Sequence, residues 1–325
     1  MTPTGPFNLA PVGSPAIAIV IPVFNEEAVL PELFARLTAL FNAHPNENWS
    51  AVLANDGSRD RSAELIAQKA AADPRFVLVE LSRNFGFQAA ISAGLAEALA
   101  RGADAIVAMD ADLQDPPELI PELVATWREG AEVVLAVRRS RQETGLRRVC
   151  MDLFHRLFGA VADQRMDTNT GTFSLLDRTA ATAVCQLPER NRYFPGLRSW
   201  VGFRTGQVLY DRQGRAAGQP QQTMLRLMRY ALDGVFSFSY LPLRLLTYTG
   251  IFTSAAGFIV GGFFIVRRLL GIEIAQTGFT TLVTLMLFLG GVQLIGIGVL
   301  GEYLARVYDE VKQRPPYIVR RPARK

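Results

Sequence analysis

Two long stretches without any charged residue limit what this chain can fold into. They run from Leu245 to Val266 and from Ile274 to Gly301, and each exceeds the roughly 20 apolar residues that a helix needs to cross a bilayer. Because the joining segment, Arg267–Glu273, is short, the sequence predicts a two-helix transmembrane hairpin at residues 245–301. Glycines such as Gly290 and Gly291 suit close helix contact in lipid. A pair of core helices in a soluble protein is the alternative, which the length of the stretches disfavours.

The distribution of Lys and Arg around these stretches predicts the side of the membrane on which the chain ends lie. The joining segment contains Arg267 and Arg268, and more basic residues follow the second stretch: Arg306, Lys312, Arg314, Arg320, Arg321, Arg324 and Lys325. Basic residues favour the cytoplasmic side. We therefore expect a multi-pass protein of the inner membrane, with both termini and a basic tail at residues 302–325 in the cytoplasm.

The segments before the hairpin and at the chain start have their own compositions. Met224–Arg244 mixes Leu, Met and Phe with three arginines. This pattern predicts amphipathic juxtamembrane helices at residues 221–244, with an ordinary linker helix as the alternative. Residues 1–15 are rich in Pro and Gly and contain no Lys or Arg. They lack the pattern of a signal peptide, so we expect a flexible leader.

Cysteine, histidine and net charge exclude several classes of protein. Cys150 and Cys185 are far apart, which disfavours a disulfide framework and a cysteine-based zinc site. With only His44 and His155, a three-histidine zinc site is impossible, and we interpret His155 as structural. The formal net charge of +4 is too small to indicate a nucleic-acid partner.

The first half of the chain alternates short apolar segments with amphipathic ones. The apolar segments, which we predict to be strands, are Ala16–Val23, Ala51–Asn55, Phe76–Leu81, Ala105–Asp110 and Val133–Val137. The predicted helices are Glu27–Asn42, Arg61–Ala72, Gly86–Arg101 and Pro116–Glu129. This alternation predicts a mostly parallel, doubly wound α/β sheet in a domain at residues 16–220. Such sheets bind ligands at the carboxyl ends of their strands.

Three polar clusters follow predicted strands. Asp110, Asp112 and Gln114 follow the fourth predicted strand, and carboxylates two residues apart in a turn can face one cation, Mg²⁺ or Mn²⁺. Residues 22–27 close the first strand, and residues 55–60 close the second. Taken singly, an acidic turn, an Asp-Gly turn or a cap of the next helix would explain each cluster. Together at one sheet edge they predict a site for a nucleotide and a cation.

These clusters resemble the motifs of glycosyltransferase family 2, and within it the polyprenyl-phosphate branch related to dolichol-phosphate mannose synthase and to two-span bacterial glucosyl transferases. The matching segments are Ile21–Glu27, Asn55–Ser58, Ser82–Gly86, Asp110–Pro117, Leu187–Arg190, Gly196–Phe203, Asp233–Ser239 and Pro242–Arg244. The chain departs from the pattern at Gly171–Leu175, where Ser174 stands at a position that is arginine in many relatives.

The resemblance implies a GT-A (Rossmann-like) fold, a nucleotide-sugar donor that is UDP- or GDP-linked, with UDP expected here, and Mg²⁺ or Mn²⁺ as cofactor. It implies that Asp110, Asp112 and Gln114 surround the metal and the diphosphate. It places a further set of residues on the donor side: Pro22, Phe24, Asn25, Glu27, Asp56 and Arg83. The implied acceptor is a polyprenyl phosphate such as undecaprenyl phosphate, the implied product has inverted configuration, and a homo-oligomer, a tetramer, is expected at the bilayer.

The chemistry of a phosphate acceptor is consistent with this composition. A phosphate monoester is largely dianionic at neutral pH, with a second pKa of about 6, so its oxygen attacks without a general base. It does need cationic groups, which arginine supplies well. The family's acceptor arginines lie just after the last predicted strand, which indicates Arg138 and Arg141. A solvated basic loop is the alternative.

Three other functions are alternatives to this transfer. A processive polysaccharide synthase usually has more membrane spans and a Gln-x-x-Arg-Trp motif, which this chain lacks. A membrane-anchored binding protein without catalysis conflicts with the complete set Asp110, Asp112 and Gln114. A nicotinamide-dependent dehydrogenase is disfavoured because no G-x-G-x-x-G follows the first predicted strand.

Overall fold

A computed structural model describes residues 14–139, 170–190, 192–211, 241–270 and 278–320 of the chain. Several expectations fall outside these residues. They concern Arg141, His155, most of the leader at residues 1–15, most of the juxtamembrane segment at residues 221–244 and the last five residues of the tail.

A seven-stranded sheet forms the centre of the first of two compact units. Its strands are β1 (Ala16–Val23), β2 (Asn48–Asn55), β3 (Phe76–Glu80), β4 (Ala105–Ala108), β5 (Val133–Arg138), β6 (Thr170–Asp177) and β7 (Thr205–Tyr210). Their order across the sheet is β3-β2-β1-β4-β6-β5-β7. Only the pairings of β6, with β4 and with β5, are antiparallel, which confirms the predicted mostly parallel sheet.

Helices cover both faces of this sheet. They are α1 (Leu30–Ala43), α2 (Ser62–Ala72), α3 (Phe87–Ala100), α4 (Ile120–Arg128), α5 (Arg178–Gln186) and α6 (Phe194–Trp200). All of β1 is buried, and its residues alternate between two cores. Ile17 and Ile19 pack with residues of α1, α2 and α4, whereas Ala18 and Val20 pack with residues of α3, α5 and α6. A central strand buried on both faces has no polar side, as its apolar sequence predicts.

Strand direction decides where functional side chains meet. Because β1, β2, β3, β4, β5 and β7 run the same way, their carboxyl ends lie at one edge of the sheet. The reversed strand β6 brings its beginning to that edge, where Thr170 pairs with Val137. We call this the carboxyl edge.

Several predicted elements have other bounds in the structure: the helix predicted at Glu27–Asn42 begins at Leu30, and the strand predicted at Ala105–Asp110 ends at Ala108. The strand predicted at Ala51–Asn55 begins three residues earlier, at Asn48. The predicted helix Pro116–Glu129 is divided into a 3₁₀ turn at Pro117–Leu119 and helix α4. Pro121 lies in the first turn of α4, where proline's missing N–H costs nothing, so a new helix starts there.

The second compact unit contains two long helices, α7 (Leu241–Leu269) and α8 (Phe279–Val311). They contact each other where Gly296 approaches Leu246: a Cβ on Gly296 would lie 3.0 Å from the Leu246 Cδ1 atom. Nothing in the described part of the chain lies within 4 Å of a Cβ position on Gly290 or Gly291, so their suitability for close helix contact in lipid stays a prediction.

By length and composition, one helical segment among the described residues can cross a membrane, Phe288–Val311. In α7 the corresponding apolar segment, Leu246–Val260, is shorter. This finding supports a membrane crossing by the second predicted span. The apolar segment lies further along the chain than predicted, at Phe288–Val311 instead of Ile274–Gly301. The crossing by the first span stays a prediction.

The chain returns to the sheet after α8. Val319 forms an antiparallel bridge with Leu81, at the outer side of β3. The Ser82 N–H donates to the Ile318 carbonyl at 2.8 Å, and the Arg320 N–H donates to the Glu80 carbonyl at 2.7 Å. We call residues 317–320 the terminal strap. Part of the predicted basic tail, the terminal strap, thus pairs with the sheet domain.

Side chains hold the terminal strap as well. The Arg320 guanidinium bonds the Glu80 carboxylate at 2.8 Å. Tyr317 packs against the core beneath α3, α5 and α6, and its burial raises the pKa of its hydroxyl. Since exposed ion pairs contribute little to stability, Tyr317 is the main side-chain anchor of the strap.

We predict that Tyr317→Ala lowers the free energy of unfolding of the sheet domain by about 2 kcal/mol, because a half-buried ring is lost from the core. Thermal unfolding of the full chain in detergent measures this. Ile318→Ala is the matched control: that side chain is 53% exposed, so its loss should cost less than about 0.5 kcal/mol. Equal effects of the two variants would contradict the anchoring role.

Candidate active site

The loop after β1 is fastened to the loop after β2. The Asn25 N–H donates to the Ser58 hydroxyl at 3.0 Å, and the Arg59 N–H donates to the Asn25 side-chain oxygen at 2.8 Å. Asn25 has a φ of 56°, a left-handed conformation that asparagine tolerates better than most residues. The amide of Asn25 therefore orders both loops.

Glu27 makes the same kind of link. Its carboxylate accepts from the Arg61 N–H at 3.0 Å, and its own N–H donates to Asp60 at 3.1 Å. Burial acts to raise the pKa of Asp60, but hydrogen bonds from Ser62 and Glu27 outweigh it and hold that pKa below its ordinary value. The alternative that Asn25 or Glu27 caps α1 was wrong, because Val29 occupies the N-cap without a side-chain hydrogen bond.

Asp56 connects the second loop to the third. It is only 2% exposed, and its two carboxylate oxygens accept from the N–H groups of Phe85 at 2.7 Å and Gly86 at 2.9 Å. Burial raises the pKa of Asp56, and these two hydrogen bonds offset part of that rise. Asp56, which the resemblance places on the donor side, thus also anchors the third loop at Phe85 and Gly86.

Gly57 lets these two loops pack closely. Its φ is 65°, and a Cβ there would lie 2.6 Å from the carbonyl carbon of Arg83. In the third loop, the Arg83 guanidinium lies 4.1 Å above the Phe85 ring and donates to the Asn84 carbonyl. Three loops of the carboxyl edge therefore form one connected rim.

The acidic segment after β4 alternates between open and buried positions. Asp110, Asp112 and Gln114 are partly exposed, whereas the residues between and after them, Ala111, Leu113 and Asp115, are buried. Leu113 has a φ of 58°, and the Gln114 N–H donates to the Asp112 carboxylate at 3.1 Å. The three predicted ligands are therefore the partly exposed residues of this turn.

Arg138 is the last residue of β5, and two buried side chains hold it. Its Nε donates to the Tyr210 hydroxyl at 3.2 Å, and its Nη2 lies 3.8 Å from Asp115 Oδ1. Burial acts to lower the pKa of Arg138, but Tyr210, Asp115 and Asp110 together raise it. Arg138 is therefore a fixed cation within electrostatic reach of Asp110.

A second arginine comes close to the same place. A Cβ on Gly171, at the beginning of β6, would lie 3.1 Å from Arg138 Nη2, and the Gly171 carbonyl accepts from the buried Arg198 at 3.1 Å. Although Ser174 stands where many relatives have arginine, two guanidinium groups flank β6 here.

The remaining predicted site residues differ in exposure. Pro22 is buried, while Phe24 is 42% exposed beside the first loop. Arg141 lies outside the described residues. Among the residues that the structure describes, no three His, Cys, Asp or Glu side chains group as a metal site. The assignment of Asp110, Asp112 and Gln114 as metal ligands stays a prediction.

Asp115 and Tyr210 were not predicted as site residues. Asp115 lies within the recognised motif, so its position was visible, although its burial was not. Tyr210 lies 72 residues from Arg138, and no local pattern marks it. Only the pairing of Arg138 with Tyr210 on β5 and β7 reveals their contact.

We predict that Gly57→Ala lowers the free energy of unfolding by about 3 kcal/mol, because the added methyl combines a strained φ with a collision against Arg83. Gly102→Ala is the matched control: Gly102 has a φ of 90° but open space around its Cβ position, so only about 1 kcal/mol of strain is expected. Chemical denaturation of both variants separates the cost of the strained φ from the cost of the collision with Arg83. Equal losses would show that the loops are not closely packed at Gly57.

Comparison with known proteins agrees with this geometry. The model of the family described as "Glycosyl transferase family 2" matches residues 18–184. An uncharacterized glycosyltransferase of Synechocystis sp. is 44% identical, over 93% of this chain and 94% of its own length. A prophage-derived bactoprenol glucosyl transferase of Shigella flexneri is 40% identical, over 94% of this chain and 97% of its own length.

Among solved structures, glucosyl-3-phosphoglycerate synthase from Mycobacterium tuberculosis overlaps with a TM-score of 0.46 and 20% identity, covering 69% of this chain and 79% of that one. The family match spans β1 to β6 and all three loops of the rim. The sheet is accordingly the expected GT-A fold. The chain belongs to glycosyl transferase family 2, and within it to the branch that includes the bactoprenol glucosyl transferases.

Proposed function

We propose that this protein transfers a sugar, with inversion, from a UDP-linked donor to a polyprenyl phosphate at the membrane. The observation that carries the proposal is the placement of Arg138 on the same sheet edge as Asp110, near enough to interact with its charge. A transfer between two phosphate compounds needs such a pair of sites, one for a metal-bound diphosphate and one for an anionic acceptor.

The donor side consists of the rim and the acidic segment. Asp110, Asp112 and Gln114 offer carboxylate and amide oxygens, which suit Mg²⁺ or Mn²⁺ when substrate phosphates supply the other ligands. When bound, the cation neutralises charge that develops on the departing diphosphate. The protein's own part is to hold these partly exposed side chains in one turn, in which Leu113 and Asp115 are buried.

The reaction itself is a single displacement. An oxygen of the acceptor phosphate attacks the anomeric carbon, the bond from that carbon to the donor diphosphate breaks, and the nucleoside diphosphate leaves with both bonding electrons. No proton has to be removed from a dianionic phosphate. Arg138 attracts the acceptor and reduces its repulsion from the donor diphosphate.

The identity of the acceptor is supported by relatives. Bactoprenol glucosyl transferases of Shigella flexneri and of Shigella phage SfV are each 40% identical over 94% of this chain. Their names refer to a polyprenyl carrier and to a sugar transfer. Because these relatives match this chain over nearly its whole length, we infer the same class of acceptor.

The terminal strap supports a chain that crosses the membrane twice. Val319 pairs with Leu81, so the end of the chain lies in the same compartment as the sheet domain. A chain that leaves a compartment and returns to it crosses an even number of times. If α8 crosses once, α7 must supply the second crossing. A UDP-linked donor is cytosolic, so we place the sheet and both termini in the cytoplasm.

We predict that Asp112→Asn lowers turnover by about 10²- to 10³-fold, as expected when a key electrostatic group is lost, while thermal stability stays unchanged because the side chain is only partly buried. Transfer of labelled sugar from UDP-sugars to undecaprenyl phosphate, with Mn²⁺ titrated, measures this. Glu118→Gln is a matched control, because that carboxylate lies on the surface in an ion pair with Arg36. Normal turnover of Asp112→Asn would exclude the metal assignment.

For the topology, we predict that a reporter fused after Lys325 and active only in the periplasm gives no signal, whereas the same reporter inserted between α7 and α8 is active. Both the tail and the joining segment contain basic residues, which favour the cytoplasmic side. The reporter therefore decides between the two orientations. A periplasmic signal from the C-terminal fusion would reverse the orientation and separate the sheet from its donor.

A further inference from the structure

Tyr210 links a buried carboxylate to the acceptor arginine. Its hydroxyl donates to Asp115 Oδ1 and accepts from Arg138 Nε. A phenol can do both at once, because it carries one donor and also accepts. Its pKa is raised to about 12, mainly by burial and then by Asp115, so the hydroxyl keeps its proton across the neutral range.

Three features of the fold hold these side chains in place. Tyr210 and Arg138 are paired residues on adjacent parallel strands. The Tyr210 ring packs edge-on against Phe173 of β6, with centroids 5.9 Å apart. Asp115 belongs to the same segment as the predicted metal ligands and is fully buried. The three side chains therefore connect the acidic segment to the end of β5.

We infer that Asp115 and Tyr210 are positioning residues that hold the Arg138 guanidinium in place for the acceptor phosphate. The inference rests on the proposed function, since it takes Arg138 as the cation that meets the acceptor. Neither Asp115 nor Tyr210 touches substrate in this role, and both act through Arg138.

The physical reason is the flexibility of arginine. A free arginine side chain samples many rotamers, and ordering it on each binding event costs affinity. Here Nε is tied to Tyr210 and Nη2 lies near Asp115, which orders the guanidinium before the acceptor arrives. A buried carboxylate is costly unless it is paired and hydrogen-bonded, and Tyr210 and Arg138 supply its partners. Preorganisation of this kind makes the precise placement of a charged group effective in catalysis.

A double-mutant cycle tests the inference. We expect Tyr210→Phe, which keeps the ring, to raise the KM for undecaprenyl phosphate in detergent roughly tenfold, as for a lost hydrogen bond to a charged group. The affinity for UDP with Mn²⁺, measured by calorimetry, should stay within twofold. In the Arg138→Ala background the same substitution should change this KM less than twofold, since the group through which it acts is gone.

Asp115→Asn provides a second route if Tyr210→Phe proves unstable, and it should give the same pattern. Leu209→Ala, on the same strand with a side chain that is 53% exposed, is the matched control and should leave both constants unchanged. An equal Tyr210→Phe effect with and without Arg138 would refute the positioning role. A normal KM and turnover in Arg138→Ala would instead refute the acceptor assignment itself, so the two failures are distinguishable.

Discussion

Parallel strand pairing is the constraint on which the rest of this structure depends. It brings the carboxyl ends of β1, β2, β4 and β5 to one edge, so that loops distant in sequence become neighbours. The single reversed strand, β6, then brings Gly171 to the same edge from the opposite direction. Asp110, Asp112 and Arg138 lie at the same edge because backbone hydrogen bonds align six strands, whatever the side chains at their ends are.

Much of this arrangement could be predicted from the sequence, because buried parallel strands are continuous apolar segments. The strand Ala16–Val23 was predicted with the observed bounds. The strands β6 and β7 were not predicted. β6 contains Thr, Ser and Asp, and β7 is an edge strand with alternate residues exposed, so neither has the apolar pattern of its neighbours. Their positions depend on pairing partners far away in the chain.

In the candidate site, too, some features could be predicted from local sequence and others could not. Local motifs predicted the positions of Asp110, Asp112 and Asp56, since a strand end and a turn can be recognised over a few residues. They could not predict that Asp56 and Asn25 use their polar atoms to bind neighbouring loops, because a side chain's partners depend on tertiary packing. A motif residue of this kind orders the loops of the rim, whatever it contacts in the ligand.

The terminal strap also determines the order in which this protein can mature. Glu80 and Arg320, which bond to each other, are 240 residues apart in the chain. During synthesis the domain emerges and begins to fold first, while the outer side of β3 stays open, and an open strand edge invites pairing with other chains. That edge is covered only after α7 and α8 have left the ribosome. Completion of the sheet therefore follows synthesis of α7 and α8, and a chain that stops before residue 317 leaves the end of β3 without this partner.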